Sequence, residues 1–550
     1  MLRRKGPISS PTRSGFDVSL LPTSNGGAGR SLQADDDDED DGMKGHPLIS
    51  TSPRISMQTL ISHGIVAIVV FMFSSSSPCM DRGVFRTTVS AYLPQTNNNH
   101  DCPTTILEYL DWFGDRLPNE RKKTPLKRVQ PATRTPPKIM TPVPSKYRKT
   151  FYYDGEEISQ PVARAFRSRG WQRVDSTKNA HMIYTYSNNP DWATTLKPWQ
   201  RFNFIPGYRK WNKKDTFAYY YKQWEAKHND RPPSVYVPET YLLTDSKEEI
   251  LAFAKVLKTG GSKYPWVHKQ ANVNQGRGIT ILAPESDQLL ALPEKYLKEI
   301  QKSTDDDDDV IIQRYVCNEM TWNRRKFDVR MFWLVASLDP LIILYHDGYV
   351  RIGNSEYSEE DFSDTTAHLT THTGLGTEGK ATMMEFEQAL DDLYSRMGNN
   401  DNNNKRPHLA AGTPIAHVRN QFKHALGEMT EVFLKESFNK PDFLEITSEN
   451  GFNFYCADYI LDNDMDVFFI EPQNGCGLDE DYYFRLEMHG SLFNGMVDIL
   501  EEVGRKQEAG LPVMPLEKSG NWEVIYADGL VYQYDGYKRS KNKASCSTTK

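Results

Sequence analysis

The most regular alternation in the chain runs through Lys326-Phe327-Asp328-Val329-Arg330-Met331, with Lys, Asp and Arg at every second position and Phe, Val and Met between them. A period of two marks a β-strand, whose successive side chains leave opposite faces. The apolar continuation Phe332-Trp333-Leu334-Val335 seats this strand in a core, so the three charges stand on one fixed face. That pattern fits either a half-buried strand with a solvated outer side or the wall of a site. Shorter strands are expected at 150–153, 171–174 and 181–186, with a helix over 159–169, an alternating α/β opening. A helix after Lys213-Lys214-Asp215 turns Phe217, Tyr220, Tyr221 and Trp224 to a core. Its two lysines read as a solvated start or as anion contacts at the helix N-terminus.

Gly276 and Gly278 lie between two strands, Tyr264-Pro265-Trp266-Val267-His268-Lys269-Gln270 and Ile279-Thr280-Ile281-Leu282. A Rossmann or Walker loop needs a helix after its glycines, so both are disfavoured. What remains is a plain hairpin, or a flap whose amides and basic residues cover a triphosphate with Lys269 reaching the phosphates. The strand Val310-Ile311-Ile312-Gln313-Arg314-Tyr315-Val316 ends in polar groups, where backbone atoms can offer the hydrogen bonds that adenine needs. Residues 341–345, a turn at His346-Asp347-Gly348 and Tyr349-Val350-Arg351 read as a small meander. Stripes at Phe386, Leu390, Leu393 and Met397, and at Ile415, Val418, Phe422, Leu426, Met429 and Phe433, predict core-facing helices around an Asn-rich loop at 399–404.

The segment 452–474 holds two strands joined by an Asp/Asn turn, and a hairpin centred near Asp464-Met465 sets Asp458 opposite Glu471. Directly opposed residues share a face, and Gln473 shares it by lying two places beyond Glu471. Two carboxylates buried together repel without a cation, and with the carboxamide they form an oxygen set suited to magnesium.

Composition changes the picture mainly outside this region. At 550 residues the length allows several domains, and 38% hydrophobic with 11% aromatic residues supplies a core. Segments 1–54 and 74–145, rich in Ser, Pro, Gly, Asn and charge, are expected to be disordered. The formal charge of −7 is inflated by acidic runs at 35–41 and 305–309, read as a solvated tail and a loop insertion. Six cysteines without CxxC or Cys/His spacing indicate neither a zinc site nor a disulfide framework, and suit a reducing compartment. The apolar run 55–73, 19 residues, is long enough to cross a bilayer but lies too far from Met1 for a cleavable signal peptide. It reads as a single-pass anchor or as an interaction-prone segment. Residues 121–149 carry ten Lys or Arg, no acid and six prolines, an extended linker attracted to something acidic. Tyr147 is its only aromatic residue, which favours an acidic protein tail over nucleic acid. The chain lacks the His-Arg-Asp and Asp-Phe-Gly motifs of a protein kinase.

Taken in order, Lys213-Lys214-Asp215, Trp266-Val267-x-Lys269, Gly276-Arg277-Gly278-Ile279, Gln313-Arg314-Tyr315, Lys326-Phe327-Asp328-Val329-Arg330, Asp347-Gly348-x-x-Arg351, His368-Leu369-Thr370, Asp458 and Glu471 resemble the tubulin-tyrosine-ligase-like family of ATP-grasp ligases. The resemblance covers roughly residues 147–505. It implies an α/β (α+β) ATP-grasp fold with N-terminal, central and C-terminal lobes of antiparallel sheet and helix. It also implies use of ATP and Mg2+ to activate a carboxylate as an acyl phosphate, which an amino group attacks to form an amide, usually on tubulin tails. Lys214 and Lys269 would then contact the phosphates beneath a flap of Gln275, Gly276, Arg277 and Gly278, while Gln313, Arg314, Tyr315 and Val316 hold adenine. Asp458, Glu471 and Gln473 would bind magnesium. Lys326, Arg330 and Arg351 would stabilise the acyl phosphate and bind substrate carboxylates, and Asp328 would orient the bound groups or assist the amine. Three positions depart from the family pattern: Gln473 and Thr371 stand where Asn is usual, and Gln275 where a base is common.

The organisation expected is a tail over 1–54, an apolar segment over 55–73 and a Pro-rich basic linker over 74–145, followed by lobes at 146–235, 236–309 and 310–505 and an extension at 506–550. The partner expected is tubulin or another acidic-tailed protein. Glutamate is favoured over tyrosine or glycine as the amino acid, nucleic acid is not expected, and the chain is expected to be monomeric. Its setting is cytoplasmic or cytoskeletal, on microtubules, cilium or basal body, unless 55–73 anchors it in a membrane. The alternative is a non-catalytic microtubule-binding protein of the same fold. On the ligase reading Arg330→Ala abolishes ligation without unfolding the domain, and Val329→Asp unfolds it.

Overall fold

Strands apolar on both faces belong in the interior of a layered fold, and the longest strands of this chain are of that kind. The computed structural model describes residues 139–534 and the backbone of 126–128, except 155–160, 186–195, 206–212, 228–235, 245, 272, 274–275, 301–308, 371–378, 398–408, 410, 433–449, 479–482 and 528. The acidic tail, the apolar run 55–73, the Asn-rich loop, Gln275, Thr371 and Phe433 therefore lie outside the described residues. Among the described helices none is long and apolar enough to cross a membrane.

β1 (Leu126–Arg128) comes from the basic linker, part of which is thus ordered, and it pairs antiparallel with the last described strand. β2 (Thr150–Tyr153), β3 (Gln172–Arg173), β4 (Met182–Tyr184) and β5 (Arg201–Phe202) form a parallel sheet in the order β3-β2-β4-β5. α1 (Pro161–Ser168) crosses between the first two, starting on a proline whose missing N–H costs nothing in the first turn. α2 (Lys214–Lys227) then buries Phe217, Tyr220, Tyr221 and Trp224, as its spacing predicts.

The second sheet joins β6 (Thr240–Leu242), β7 (Trp266–Gln270), β8 (Ile279–Leu282) and β9 (Val310–Arg314) in the antiparallel order β6-β9-β7-β8. β9 belongs to this sheet, so the lobe boundary expected at 310 falls one strand early. α3 (Lys247–Lys258) and α4 (Asp287–Glu299) are capped by Ser246 and Ser286, whose hydroxyls accept from the amides of Glu249 and Leu289, each at 3.3 Å. Both helices press apolar residues against the fully buried Trp266.

Among the described residues the third sheet has nine strands: the path β1-β17-β16-β12-β11-β14-β15, with β10 (Thr321–Trp322) beside β11 (Arg325–Leu338) and β13 (Lys380–Thr382) beside β12 (Leu341–Glu356). The remaining strands are β14 (Asn453–Leu461), β15 (Val467–Gln473), β16 (Glu523–Ala527) and β17 (Leu530–Tyr532). Phe327, Val329, Met331, Trp333 and Val335 share a core with α5 (Met383–Arg396) and α6 (Pro414–Val432). Phe332, Leu334 and Ala336, on the opposite face, share one with α7 (Tyr483–Glu508). β11 is therefore buried on both sides, and Lys326, Asp328 and Arg330 have no solvated face. β16 and β17 make much of the expected C-terminal extension an integral edge of this sheet.

Two expectations are corrected. The segment His346-Asp347-Gly348 is a bulge inside the continuous β12, and the turn lies at Asp339-Pro340. A Cβ at position 348 would run into the Arg330 carbonyl oxygen, so Gly348 serves close approach of two strands. The hairpin also brings Cys456 and Cys476 together as a disulfide, with Cα atoms 5.7 Å apart, a pairing that sequence spacing does not signal.

Candidate active site

The β11–β12 register sets Asp328 against Arg351, and the β11–β14 register sets Arg330 against Asp458. All four are buried. Arg330 forks onto Asp458 (Nε to Oδ1 2.8 Å, Nη2 to Oδ2 2.9 Å), and Arg351 forks onto Asp328 (2.6 and 2.7 Å) while also reaching Asp458 Oδ2 at 2.8 Å. A planar guanidinium fork fits a carboxylate in this way, and it keeps the pairs in register. The Thr370 hydroxyl also donates to Asp328.

β15 continues the lattice. Asp458 faces Glu471 across the hairpin, the pairing expected from the sequence. Gln473 sits between them, and its amide orientation is fixed chemically because a guanidinium only donates and a carboxylate only accepts. Its oxygen takes Arg330 Nη2 at 2.8 Å, and its nitrogen donates to Asp458 Oδ2 at 3.1 Å and Glu471 Oε1 at 2.5 Å. At the other end of the wall Lys326 Nζ meets Glu319 Oε1 at 2.6 Å and the Tyr315 hydroxyl at 3.2 Å. His368 donates from Nε2 to the Asp361 carbonyl (2.8 Å), so its Nδ1 accepts from the Tyr315 hydroxyl at 2.9 Å. Burial lowers the His368 pKa and favours this neutral ring.

Next to Glu471 opens a cavity of about 310 Å³ between α2 and strands β6, β7, β9 and β15. Ile311, Ile470 and Phe217 give it apolar walls, while Lys214, Lys222 and Lys269 bring cations. Lys269 Nζ donates to Gln313 Oε1 at 2.7 Å, and Gln313 is held in turn by its bond to Thr240 Oγ1 at 3.0 Å. Lys214 Nζ donates to the Val273 carbonyl at 3.1 Å and stands 3.6 Å from Glu471 Oε2, tying the β7–β8 loop to β15. In that loop Gly276 and Gly278 have φ of +72° and +69°, the left-handed region that glycine enters without strain. Arg277 is exposed beside them.

Burial pushes Lys269 down to about 8, with Glu471 opposing and the neighbouring Lys214 and Lys326 adding to the shift. Burial alone would raise Asp458, but Arg330 and Arg351 hold it down at about 2. A buried lysine crowded by like charges, beside apolar walls, fits a polyphosphate carrying a flat base. The paired carboxylates Asp458 and Glu471 have the hard oxygens a magnesium ion takes. Among the described residues no group of three His, Cys, Asp or Glu gathers to hold a metal.

Not every expected residue meets the cavity. Alternation along β9 turns Gln313 inward, whereas Arg314 stacks on Tyr264 at 3.8 Å from the ring and pairs with Glu239 at 3.1 Å. Tyr315 supports Lys326, and Val316 packs with Ile460 and Phe468. Sequence reasoning missed the cavity wall of Tyr221, Lys222, Glu225 and Tyr241, and it missed Glu319. Helical periodicity marked Tyr221 as core, while Glu319 lies outside any periodic run.

Two antiparallel sheets in an α+β build, with a smaller parallel sheet before them, a basic cleft between the two and a glycine hairpin beside it, define an ATP-grasp-like protein. The chain belongs to the tubulin-tyrosine ligase family, whose sequence model matches residues 193–473. It is 25% identical over 316 residues to the probable tubulin polyglutamylase TTLL2 of Homo sapiens, covering 54% of this chain and 49% of that protein. It is 29% identical over 184 residues to the tubulin polyglutamylase TTLL7 of Mus musculus, covering 32% and 18%. It is 22% identical over 287 residues to tubulin glycylase 3D of Tetrahymena thermophila, covering 52% and 26%. The chain thus spans about half the length, or less, of these curated relatives.

Proposed function

We propose that the chain is an ATP-dependent ligase that adds an amino acid, glutamate first among the candidates, to a carboxylate on an acidic protein tail, with tubulin the expected acceptor. The observation that carries this reading is the continuity of the site. Through Glu471 and Gln473, the cavity with Lys214 and Lys269 runs directly into the Arg330–Asp458–Arg351–Asp328 lattice. A phosphate site beside a wall of fixed guanidinium groups is what carboxylate activation needs. The relatives named as tubulin polyglutamylases support tubulin as acceptor and glutamate as the amino acid, the one named as a tubulin glycylase keeps glycine as the competitor, and all suggest a cytoskeletal setting.

ATP is the substrate of the cavity, its phosphates toward Lys214 and Lys269 and its base toward Ile311, Ile470 and Gln313. Asp458 and Glu471 would hold magnesium, which would neutralise phosphate charge. Gln473 offers an oxygen only if its amide turns over. A carboxylate oxygen attacks the γ-phosphorus and ADP leaves, giving an acyl phosphate; an amine then attacks the acyl carbon, the amide forms and phosphate leaves. Lys326, Arg330 and Arg351 bind the substrate carboxylate and the developing charge, competing with Asp328 and Asp458 for the same guanidinium groups. Asp328, held by Arg351 and Thr370, is placed to orient the amine.

The direct test incubates the full-length chain with tubulin, ATP, magnesium and each labelled amino acid in turn. Glutamate is expected to be incorporated, and Glu471→Gln to abolish incorporation. Binding to microtubules without incorporation would instead identify a non-catalytic binding protein.

The low pKa of Lys269 gives a second expected result. An anion beside the ammonium raises its pKa, so nucleotide binding takes up a proton where the free site is partly neutral. Between pH 8 and 9.5, calorimetry in two buffers of different ionisation heat should show uptake, with affinity weakening as pH rises through about 8. Binding at pH 8.5 without proton uptake would move Lys269 away from the phosphates.

A further inference from the structure

Glu319 is a buried charge in contact with the wall that the mechanism above leaves unused. Only 3% exposed, it lies between β9 and β10, and no periodic pattern marks it. Its backbone is fixed by the turn that joins β14 to β15. Position 319 bridges Asp462, Asn463 Nδ2 donates to the carbonyls of Asn318 (3.2 Å) and Glu319 (3.2 Å), and the Met320 amide donates to the Leu461 carbonyl at 2.9 Å. The side chain therefore points at Lys326 from a rigid base. One oxygen, Oε1, lies 2.6 Å from Lys326 Nζ, while Oε2 is buried with no hydrogen-bond partner among the described residues. A buried carboxylate with one oxygen unused is costly, and a merely structural ion pair would be expected to use both.

We propose that Glu319 is a positioning residue of the ligation site, fixing the Lys326 ammonium and neutralising that end of the wall until an anionic substrate arrives. The proposal rests on the ligase reading. Lys326 is anchored on a second side by Tyr315, which His368 orients, so the ammonium has a defined location before any ligand binds. Lys326 adds, after burial and Lys214, to the lowering of the Lys269 pKa, which links this end of the wall to the cavity. Two opposite effects on one variant follow. Removing the carboxylate charge makes the wall more attractive to anions, while the ammonium loses the anchor that aims it.

The test compares full-length wild type, Glu319→Gln, Glu319→Asp, Lys326→Met and the double variant Glu319→Gln/Lys326→Met. Binding of the non-hydrolysable nucleotide AMP-PNP is measured by calorimetry, and kcat and KM for free L-glutamate by incorporation into tubulin. Glu319→Gln should bind AMP-PNP about threefold tighter or more, from the lost anion. It should also lower kcat about tenfold or more, from the lost aim, while KM for glutamate falls. Glu319→Asp, which keeps the charge but is a methylene shorter, should lose kcat with AMP-PNP affinity unchanged. In the Lys326→Met background, Glu319→Gln should lower kcat no further.

Wild type that binds no AMP-PNP and incorporates no amino acid overturns the ligase reading itself. Wild type that does both, with a Glu319→Gln variant of the same affinity and kcat, overturns only the role of Glu319, as does an unaltered kcat loss in the Lys326→Met background. If Glu319→Gln fails to fold, Glu319→Asp decides alone, and wild-type kcat in that variant overturns the proposal.

Discussion

Val329→Asp is expected to leave no cooperatively folded protein. Val329 has no exposed surface and sits in the middle of β11, opposite Val350 of β12 on one side and Tyr459 of β14 on the other. Its side chain belongs to the core that β11 shares with α5 and α6, while the cations of the wall leave the opposite face of the strand. An aspartate there loses about 1.5–3 kcal/mol of apolar burial. Its charge, buried among the apolar side chains around Val329, costs several kcal/mol more. Together these approach the whole stability of an ordinary domain, about 5–15 kcal/mol. Circular dichroism and a thermal melt check the outcome, and a sharp transition within a few degrees of wild type would refute it.

The second large effect is expected from Arg330→Ala, which should abolish ligation and also lower stability. The sequence reading expected lost activity in an intact domain, and the structure adds the second part. Arg330 is 6% exposed and holds Asp458, Gln473 and the Cys476 carbonyl together. Removing one partner of a buried ion pair costs about 3–5 kcal/mol when the charge left behind is uncompensated. Arg351 still faces Asp458 at 2.8 Å, so the loss should fall at the lower end and the domain should remain folded. Arg330→Lys keeps the charge without the fork, and should recover stability more fully than activity. Thermal melts and tubulin incorporation on the same preparations separate the two readouts. Wild-type incorporation by Arg330→Ala would remove Arg330 from the reaction.

What could be read in advance follows from how local each signal is. The alternation at 326–331 and the turn near Asp464 and Met465 each fix a register within a few residues. The charged face of β11 and the opposition of Asp458 to Glu471 were therefore legible. That β11 has no solvated face depends on α7, which begins more than a hundred residues later. Gly348 misled because glycine serves a tight turn and a close approach of strands equally well, and only the position of Arg330 decides between them. Arg314 and Gln313 are neighbours with opposite outlooks, and strand alternation separates them once the inward side of β9 is known. Glu319 had no local signal, because its position comes from the β14–β15 turn and its partner from β11.

The pairing of β1 with β17 bears on where the chain can be cut. A fragment starting at 146, the boundary suggested by composition, would lack β1 and leave the outer edge of β17 with unpaired amides and carbonyls. An open edge of that kind is a template for strand addition from a second molecule. Self-association of such a fragment would then report the missing strand and say nothing of the oligomeric state of the full chain.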